Sequence, residues 1–229
     1  MRTLAVLPVK GFGAAKQRLA GLLGSGSRQA LAQAMFSDVL ASLRHVAGVD
    51  AIAVVTADRL AESTAVGHRV TVLPDRQQAG QSEAAISGAR YALAGGYDRL
   101  LLVPADTPLL DPAELDGLLA TASAGDVDVV IVPDRHGTGT NALLLAPPDA
   151  IEPSFGPRSF ERHLGAAQAA GLSYSVESPP SLLLDIDTPE DLSELSARLE
   201  GGHGRAPLTR GALAQLNRSR PRQPAPAHT

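Results

Sequence analysis

The sequence predicts an α/β fold: a doubly wound, mostly parallel central sheet with helices on both faces. Three observations carry that expectation. Short β-rich runs alternate with helical patterns from the first residues onward. Those runs are apolar along their whole length, as strands buried on both faces are. The segments between them read as amphipathic helices, the usual crossovers of parallel strands.

Taken in order, the strand candidates are Leu4 to Val9, Ala51 to Thr56, Arg69 to Pro74, Arg99 to Pro104 and Val127 to Pro133. Helix candidates lie near Ser27 to Ala47, Gln81 to Ala94 and Pro112 to Ala124, the last with Asp111 as N-cap and Glu114 as its capping-box partner. Beyond Pro133 a glycine-rich turn, "DRHGTGTNALLLAP", leads into another strand, and "SFGPRSFERHLGAAQAAG" reads as a loop and a helix starting near Pro157 or Arg158. "LSYSVE" and "SLLLDID" read as strands, and "TPEDLSELSARLE" as a closing helix with Thr188 as N-cap and Pro189 at its first position. The domain is therefore expected to span residues 1 to 200. Residues 201 to 229, rich in Gly, Pro and Arg, read as a disordered basic tail with room for a short helix around Gly211 to Asn217.

Composition narrows the chemistry. The 229 residues include no cysteine, which removes disulfides, thiolate metal sites and cysteine nucleophiles and fits a reducing cytoplasm. No stretch approaches the roughly 20 apolar residues that span a bilayer, so no membrane partner is expected. Five of the 20 basic side chains fall after residue 200, where there is no acid; the body is strongly acidic. Such a body argues against a nucleic-acid face and for a site that meets phosphates through metal ions.

Strand ends carry the candidate chemistry, because ligands in open parallel sheets sit beyond the carboxyl ends of the strands. Lys10 follows the first strand, Asp106 the fourth, and Asp185 and Asp187 the last. Asp106 ends a buried run while Asp111 already serves as cap, and an isolated ionised group there costs several kcal/mol. Asp185 and Asp187, two apart in an extended segment, face the same way. With Asp106 they suit Mg²⁺, which takes a few carboxylates and leaves room for phosphate oxygens. Lys10, Lys16 and Arg18 share a loop with Gly11 and Gly13, although neither G-x-x-x-x-G-K-[ST] nor G-x-G-x-x-G is present. Gly137, Gly139 and Thr140 offer backbone N–H groups and a hydroxyl to an anion, as does the helix opening at Gly156 to Ser159. The six histidines are scattered without ligand spacing, and surface or turn placement explains most of them. No G-x-S-x-G elbow supports a hydrolase triad.

Together "PVKGFGAAKQRLA", "VPADTPLL", "DRHGTGTNALL", "FGPRSFERH" and "LDIDTPEDL" resemble the 2-phospho-L-lactate guanylyltransferases, of the superfamily that also holds the molybdenum cofactor guanylyltransferases. The resemblance covers roughly residues 1 to 200 and implies a Rossmann-like nucleotide-diphospho-sugar transferase fold with a small β-rich acceptor-binding insertion. It implies that GTP and a three-carbon phosphorylated acid, phosphoenolpyruvate or 2-phospho-L-lactate, give a guanylylated product and pyrophosphate in coenzyme F-420 synthesis. Carried over by residue, Asp106, Asp185 and Asp187 hold Mg²⁺, and Lys10, Lys16 and Arg18, with Asp106, form the catalytic set on the triphosphate. Pro8, Val9, Lys10, Gly80 and Ser82 bind the nucleotide, and Thr140, Gly156 and Ser159 bind the acceptor. The family tends to read Gly-Leu-Asn-x-Ala where this chain has "AGQSEAAISGA", so Gln81 and Ser82 replace Leu and Asn near the nucleobase. The resemblance also implies a cytoplasmic monomer or homodimer, with the next enzyme of the pathway as a further partner. A related transferase acting on molybdopterin or a sugar phosphate, and an idle nucleotide-binding domain, remain open alternatives.

Overall fold

All seven residues of the first strand, β1 (Thr3–Val9), are buried. Both faces of β1 are covered, which its unbroken apolar run requires. In the computed structural model, which describes residues 1–76, 78–202 and 205–219, β1 is followed by α1 (Ser25–Leu43), β2 (Ala51–Thr56), α2 (Arg59–Gly67), β3 (Thr71–Pro74), α3 (Gln81–Ala94) and β4 (Arg99–Leu102). The second half holds α4 (Pro112–Ala124), β5 (Val129–Pro133), β6 (Thr140–Leu145), α5 (Ser159–Ala169), β7 (Tyr174–Val176), α6 (Pro189–Glu200) and α7 (Pro207–Ser219). The strands form one sheet in the order β3-β2-β1-β4-β6-β5-β7. Every pair is parallel except those made by β6, which runs antiparallel to both β4 and β5. The predicted α/β class is observed.

Side-chain alternation divides the core into two layers. Ala5, Leu7 and Val9 of β1 face a cluster built with Phe36 and Leu40 of α1, Ala61 of α2 and Leu115 of α4. Leu4 and Val6 face the opposite cluster, with Ala85 and Ala89 of α3 and Ala167 of α5. α3 approaches β1 closely because Gly88 has no side chain: a Cβ there would stand 2.6 Å from Val6 Cγ1. Both the helix and the strand are packed on other elements, so neither can retreat. Gly88→Val is expected to cost about 3 kcal/mol by overpacking. Calorimetry should show this as a fall of roughly 6–12 °C in the melting temperature.

Several expectations are corrected. α2 was not foreseen; Asp58 caps it, accepting from Leu60 and Ala61 N–H groups at 2.8 and 3.0 Å. β6 and β7 belong to the main sheet. "SLLLDID" is not a strand: it starts in a turn, Leu182, Leu184 and Ile186 are buried in alternation, and isolated bonds hold it, Ile186 N–H to Asp106 O at 3.2 Å and Arg135 N–H to Leu183 O at 3.1 Å. Glu114 forms no capping box. Its carboxylate accepts instead from Ser181 N–H at 2.9 Å, while Asp111 caps α4 alone.

The expected boundary at residue 200 is also corrected. α7 packs on α1, with Ala206, Thr209 and Leu213 buried. Its first N–H groups, which have no partner within the helix, are met by the buried Asp38 carboxylate: Leu208 at 3.2 Å and Thr209 at 2.7 Å. Leu213 joins Leu31, Met35, Leu195 and Leu199 in a third apolar cluster. The remainder of the expected tail, residues 220 to 229, lies outside the described residues. Among the described residues, no helix is long and apolar enough to cross a membrane.

Candidate active site

The sheet order reverses between β1 and β4, since β2 and β3 extend it on one side and β6, β5 and β7 on the other. A crevice opens at such a switch point, outside the carboxyl ends of the strands. A cavity of about 310 Å³ lies there, lined among others by Pro8, Val9, Lys10, Lys16, Gln81 and Asp106. β6, being reversed, presents its first residues, Thr140 and Asn141, at this same edge. One antiparallel strand thus adds a second set of side chains to the crevice.

Lys16 stands between two aspartates. It takes a left-handed backbone conformation (φ 57°) between two short 3₁₀ turns, Phe12–Ala14 and Gln17–Leu19. Its ammonium donates to Asp106 Oδ2 and, at 3.1 Å, to Asp187 Oδ1. The lysine side chain is 6% exposed, against 27% and 47% for the two carboxylates. Burial pulls the lysine pKa down, but the charges and hydrogen bonds of Asp106 and Asp187 outweigh it, so it lies above the ordinary value.

Asp185 is near both. It accepts from Asn141 Nδ2 at 3.3 Å, and burial first, then the Asp106 charge, pushes its carboxyl up to about 6. Asp187 is held by its own backbone: Asp187 and Thr188 N–H groups donate to Asp191 Oδ2 at 2.9 and 2.7 Å, and Asp191 pairs with Arg135. The three aspartates therefore gather at one edge. They do not form a ready cage, because no three acidic or imidazole groups converge to hold a metal among the described residues. Segment 180–187 is fixed by isolated bonds, and Lys16 supplies the positive charge for two of the three.

A raised carboxyl pKa has a defined consequence. Stability that Asp185 contributes when protonated is fully present below its unfolded value near 4. It is lost as the pH rises through about 6. Asp185→Asn is therefore expected to raise the melting temperature by a few degrees at pH 8 without divalent cation while lowering turnover. Paired melts at pH 4.5 and pH 8 check this; the gain should vanish at the lower pH.

The acceptor segments are differently built than expected. Asp134 closes its own loop, accepting from His136, Thr138 and Gly139 N–H groups at 3.0, 2.9 and 2.8 Å. Gly137 N–H goes to Asp134 O at 3.0 Å, so these backbone donors are already used. A Cβ at Gly139 would stand 2.6 Å from Asp134 Oδ2, so a side chain there would displace the carboxylate that closes the loop. Thr140 is buried, and its hydroxyl meets His163 Nδ1 at 2.9 Å. Gly156 has φ 107°, a conformation that favours glycine. Ser159, buried, begins α5.

Of the residues expected at the nucleotide, Pro8, Val9 and Lys10 line the cavity, with Lys10 exposed. Gly80, Ser82 and Arg18 do not line it. Ser82 Oγ instead accepts from Phe155 N–H at 2.9 Å, tying α3 to the Gly156 turn, while Gln81 faces the cavity. Arg18 is exposed on its 3₁₀ turn. His163 is not a surface or turn residue: it is wholly buried, and burial, aided by the Arg162 charge, lowers its pKa to about 4. Asn141 and the Arg135–Asp191 pair were missed, although Asn141 stood inside the "GTGTN" motif.

Comparisons with known proteins agree with this fold. The family model described as guanylyl transferase CofC like matches residues 3–216. The chain is 49% identical over 222 residues to a phosphoenolpyruvate guanylyltransferase of Conexibacter woesei, covering 97% of this chain and 100% of that one. It is 37% identical over 206 residues to a 2-phospho-L-lactate guanylyltransferase of Methanothermobacter thermautotrophicus, covering 90% and 89%. Among solved structures, a protein of Desulfovibrio desulfuricans described as a nucleotide-diphospho-sugar transferase superposes with a TM-score of 0.76 at 18% identity, covering 95% and 96%, a likeness of fold. With the match running from β1 into α7, the chain belongs to the CofC-like guanylyl transferase family.

Proposed function

We propose that this protein transfers the guanylyl group of GTP to the phosphate of a three-carbon acid, phosphoenolpyruvate or 2-phospho-L-lactate, and releases pyrophosphate. The observation that carries the reading is the buried Lys16 ammonium held between Asp106 and Asp187 beside the cavity at the β1/β4 switch point. The names of relatives matched over nearly the whole chain support the same reaction.

In that reaction an acceptor phosphate oxygen attacks the α-phosphorus of GTP. A new P–O bond forms, the bond to the β-phosphate bridging oxygen breaks, and the electron pair leaves with pyrophosphate. Such transfers are catalysed by positioning and charge neutralisation. In this reading Lys10 and Lys16 would neutralise the triphosphate, Pro8 and Val9 would border the nucleotide, and Thr140, Gly156 and Ser159 would hold the acceptor. The donor set fits Mg²⁺ once phosphates are bound with it: three carboxylates share one edge with the buried Lys16 ammonium, and the ion needs few protein ligands when phosphates supply the rest. Asp185 and Asp187, with Asp106, would hold it, and it would draw charge from the phosphate oxygens. A chain without cysteine fits a reducing cytoplasm.

The test is direct. Purified protein with GTP, Mg²⁺ and phosphoenolpyruvate, 2-phospho-L-lactate or 3-phosphoglycerate is expected to release pyrophosphate with at least one acid. Release only with CTP or ATP, or only with a sugar phosphate or molybdopterin, would replace this reading by that of a related transferase. Silence with every pair would end it.

A further inference from the structure

Two acceptor segments, the start of β6 and the turn before α5, are joined by one imidazole. His163 Nδ1 lies 2.9 Å from Thr140 Oγ1, and its Nε2 accepts the backbone N–H of Ser154 at 2.8 Å, two residues before Gly156. The ring is wholly buried and packs edge-on against Phe155, with centroids 5.3 Å apart. A neutral imidazole carries one proton. Since Nε2 accepts from Ser154, that proton is on Nδ1, and Thr140 Oγ1 receives it. The hydroxyl hydrogen of Thr140 is then left to be donated, and among the described residues no other bond claims it.

We propose that His163 is a positioning residue for the acceptor: it fixes Thr140 as a hydroxyl donor toward a small anionic acid and, through Ser154, sets the spacing between that donor and the Gly156 turn. The inference rests on the reading of these segments as the acceptor site. A free threonine hydroxyl rotates and can donate or accept; one already receiving an N–H bond has its donor role assigned. Arg162 reinforces the turn, its guanidinium donating to Ser154 O at 2.8 Å and Phe155 O at 3.2 Å. The imidazole thus sets one part of the site against another, as a supporting residue does for groups that must be held within a fraction of an ångström.

Two measurements test this. Long-range ¹⁵N spectra of the wild-type protein are expected to show His163 neutral with its proton on Nδ1; the other tautomer overturns the proposal without reference to activity. In kinetics with GTP, Mg²⁺ and the preferred acid, His163→Gln keeps an acceptor for Ser154 but loses the donor to Thr140. It is expected to raise the KM for the acid about tenfold while the KM for GTP is unchanged. His163→Asn, which reaches Thr140 but not Ser154, should raise the same KM. On a Thr140→Val background His163→Gln should add nothing, whereas His163→Asn should still add its effect. Equal changes in both KM values, or an unchanged KM for the acid, overturn the proposal while the guanylyl-transfer reading stands. No turnover by wild-type protein with any acid overturns that reading, and the proposal with it.

Discussion

Lys16→Met is expected to lower turnover by about a thousandfold while the melting temperature moves by only a few degrees. The methionine keeps the length and apolar stem of the side chain, so the packing around it survives. What is lost is the cation between Asp106 and Asp187. A preorganised charge aimed at developing negative charge is worth about 10²–10³ in rate, or roughly 3–4 kcal/mol. Removing Lys16 also leaves uncancelled carboxylate charge beside an incoming triphosphate. Stability changes little because both carboxylates keep access to water, and partly exposed ion pairs contribute little. Pyrophosphate release and a thermal melt on the same sample check it. Near-native turnover would show that the ammonium is a structural tie and not part of the reaction.

Asp106→Asn is expected to lower turnover by about 10²–10³ while GTP still binds. The amide has the shape of the carboxylate, so the turn after β4 and the Ile186 N–H bond to the Asp106 carbonyl remain. The charge is gone, and Lys16 loses the first of the two acids that hold its pKa above the ordinary value. Burial then weighs more heavily, so the lysine loses its proton at lower pH and the alkaline limb of the activity profile moves down. Calorimetric titration with GTP, beside the pyrophosphate assay, separates the two readings of the domain. Binding retained with turnover lost indicates an enzyme; unchanged behaviour in both would indicate a domain that holds nucleotide without acting on it.

The parts of the fold legible in the sequence were those dictated locally. β1 and β4 could be read because a strand covered on both faces must be apolar throughout, and α6 because Thr188, Pro189 and Asp191 write its start. Asp106 stood out because a carboxylate at a buried strand end needs a partner. The identity of that partner was not legible, since Lys16 lies 90 residues away from Asp106 and 171 from Asp187. In "SLLLDID" the burial alternation was correct and the ladder was not: side-chain period records which face is buried, not which backbone lies alongside. α7 was legible only as a short helix within a tail, because its apolar side rests on a few residues such as Leu213, between segments rich in Gly, Pro and Arg. His163 carries no signal in its neighbours at all; its meaning comes from Thr140 and Ser154, which only the packing of α5 brings to it.

Met35 belongs at once to the cluster that α7 completes and to the wall of the cavity at the β1/β4 switch point. Through that flexible thioether the apolar cluster of the last described helix reaches the cavity wall. Loss of the Asp38 clasp on α7 is expected to loosen that wall. α7 is in this sense a buttress of the cavity, although it contributes no residue to the lining itself.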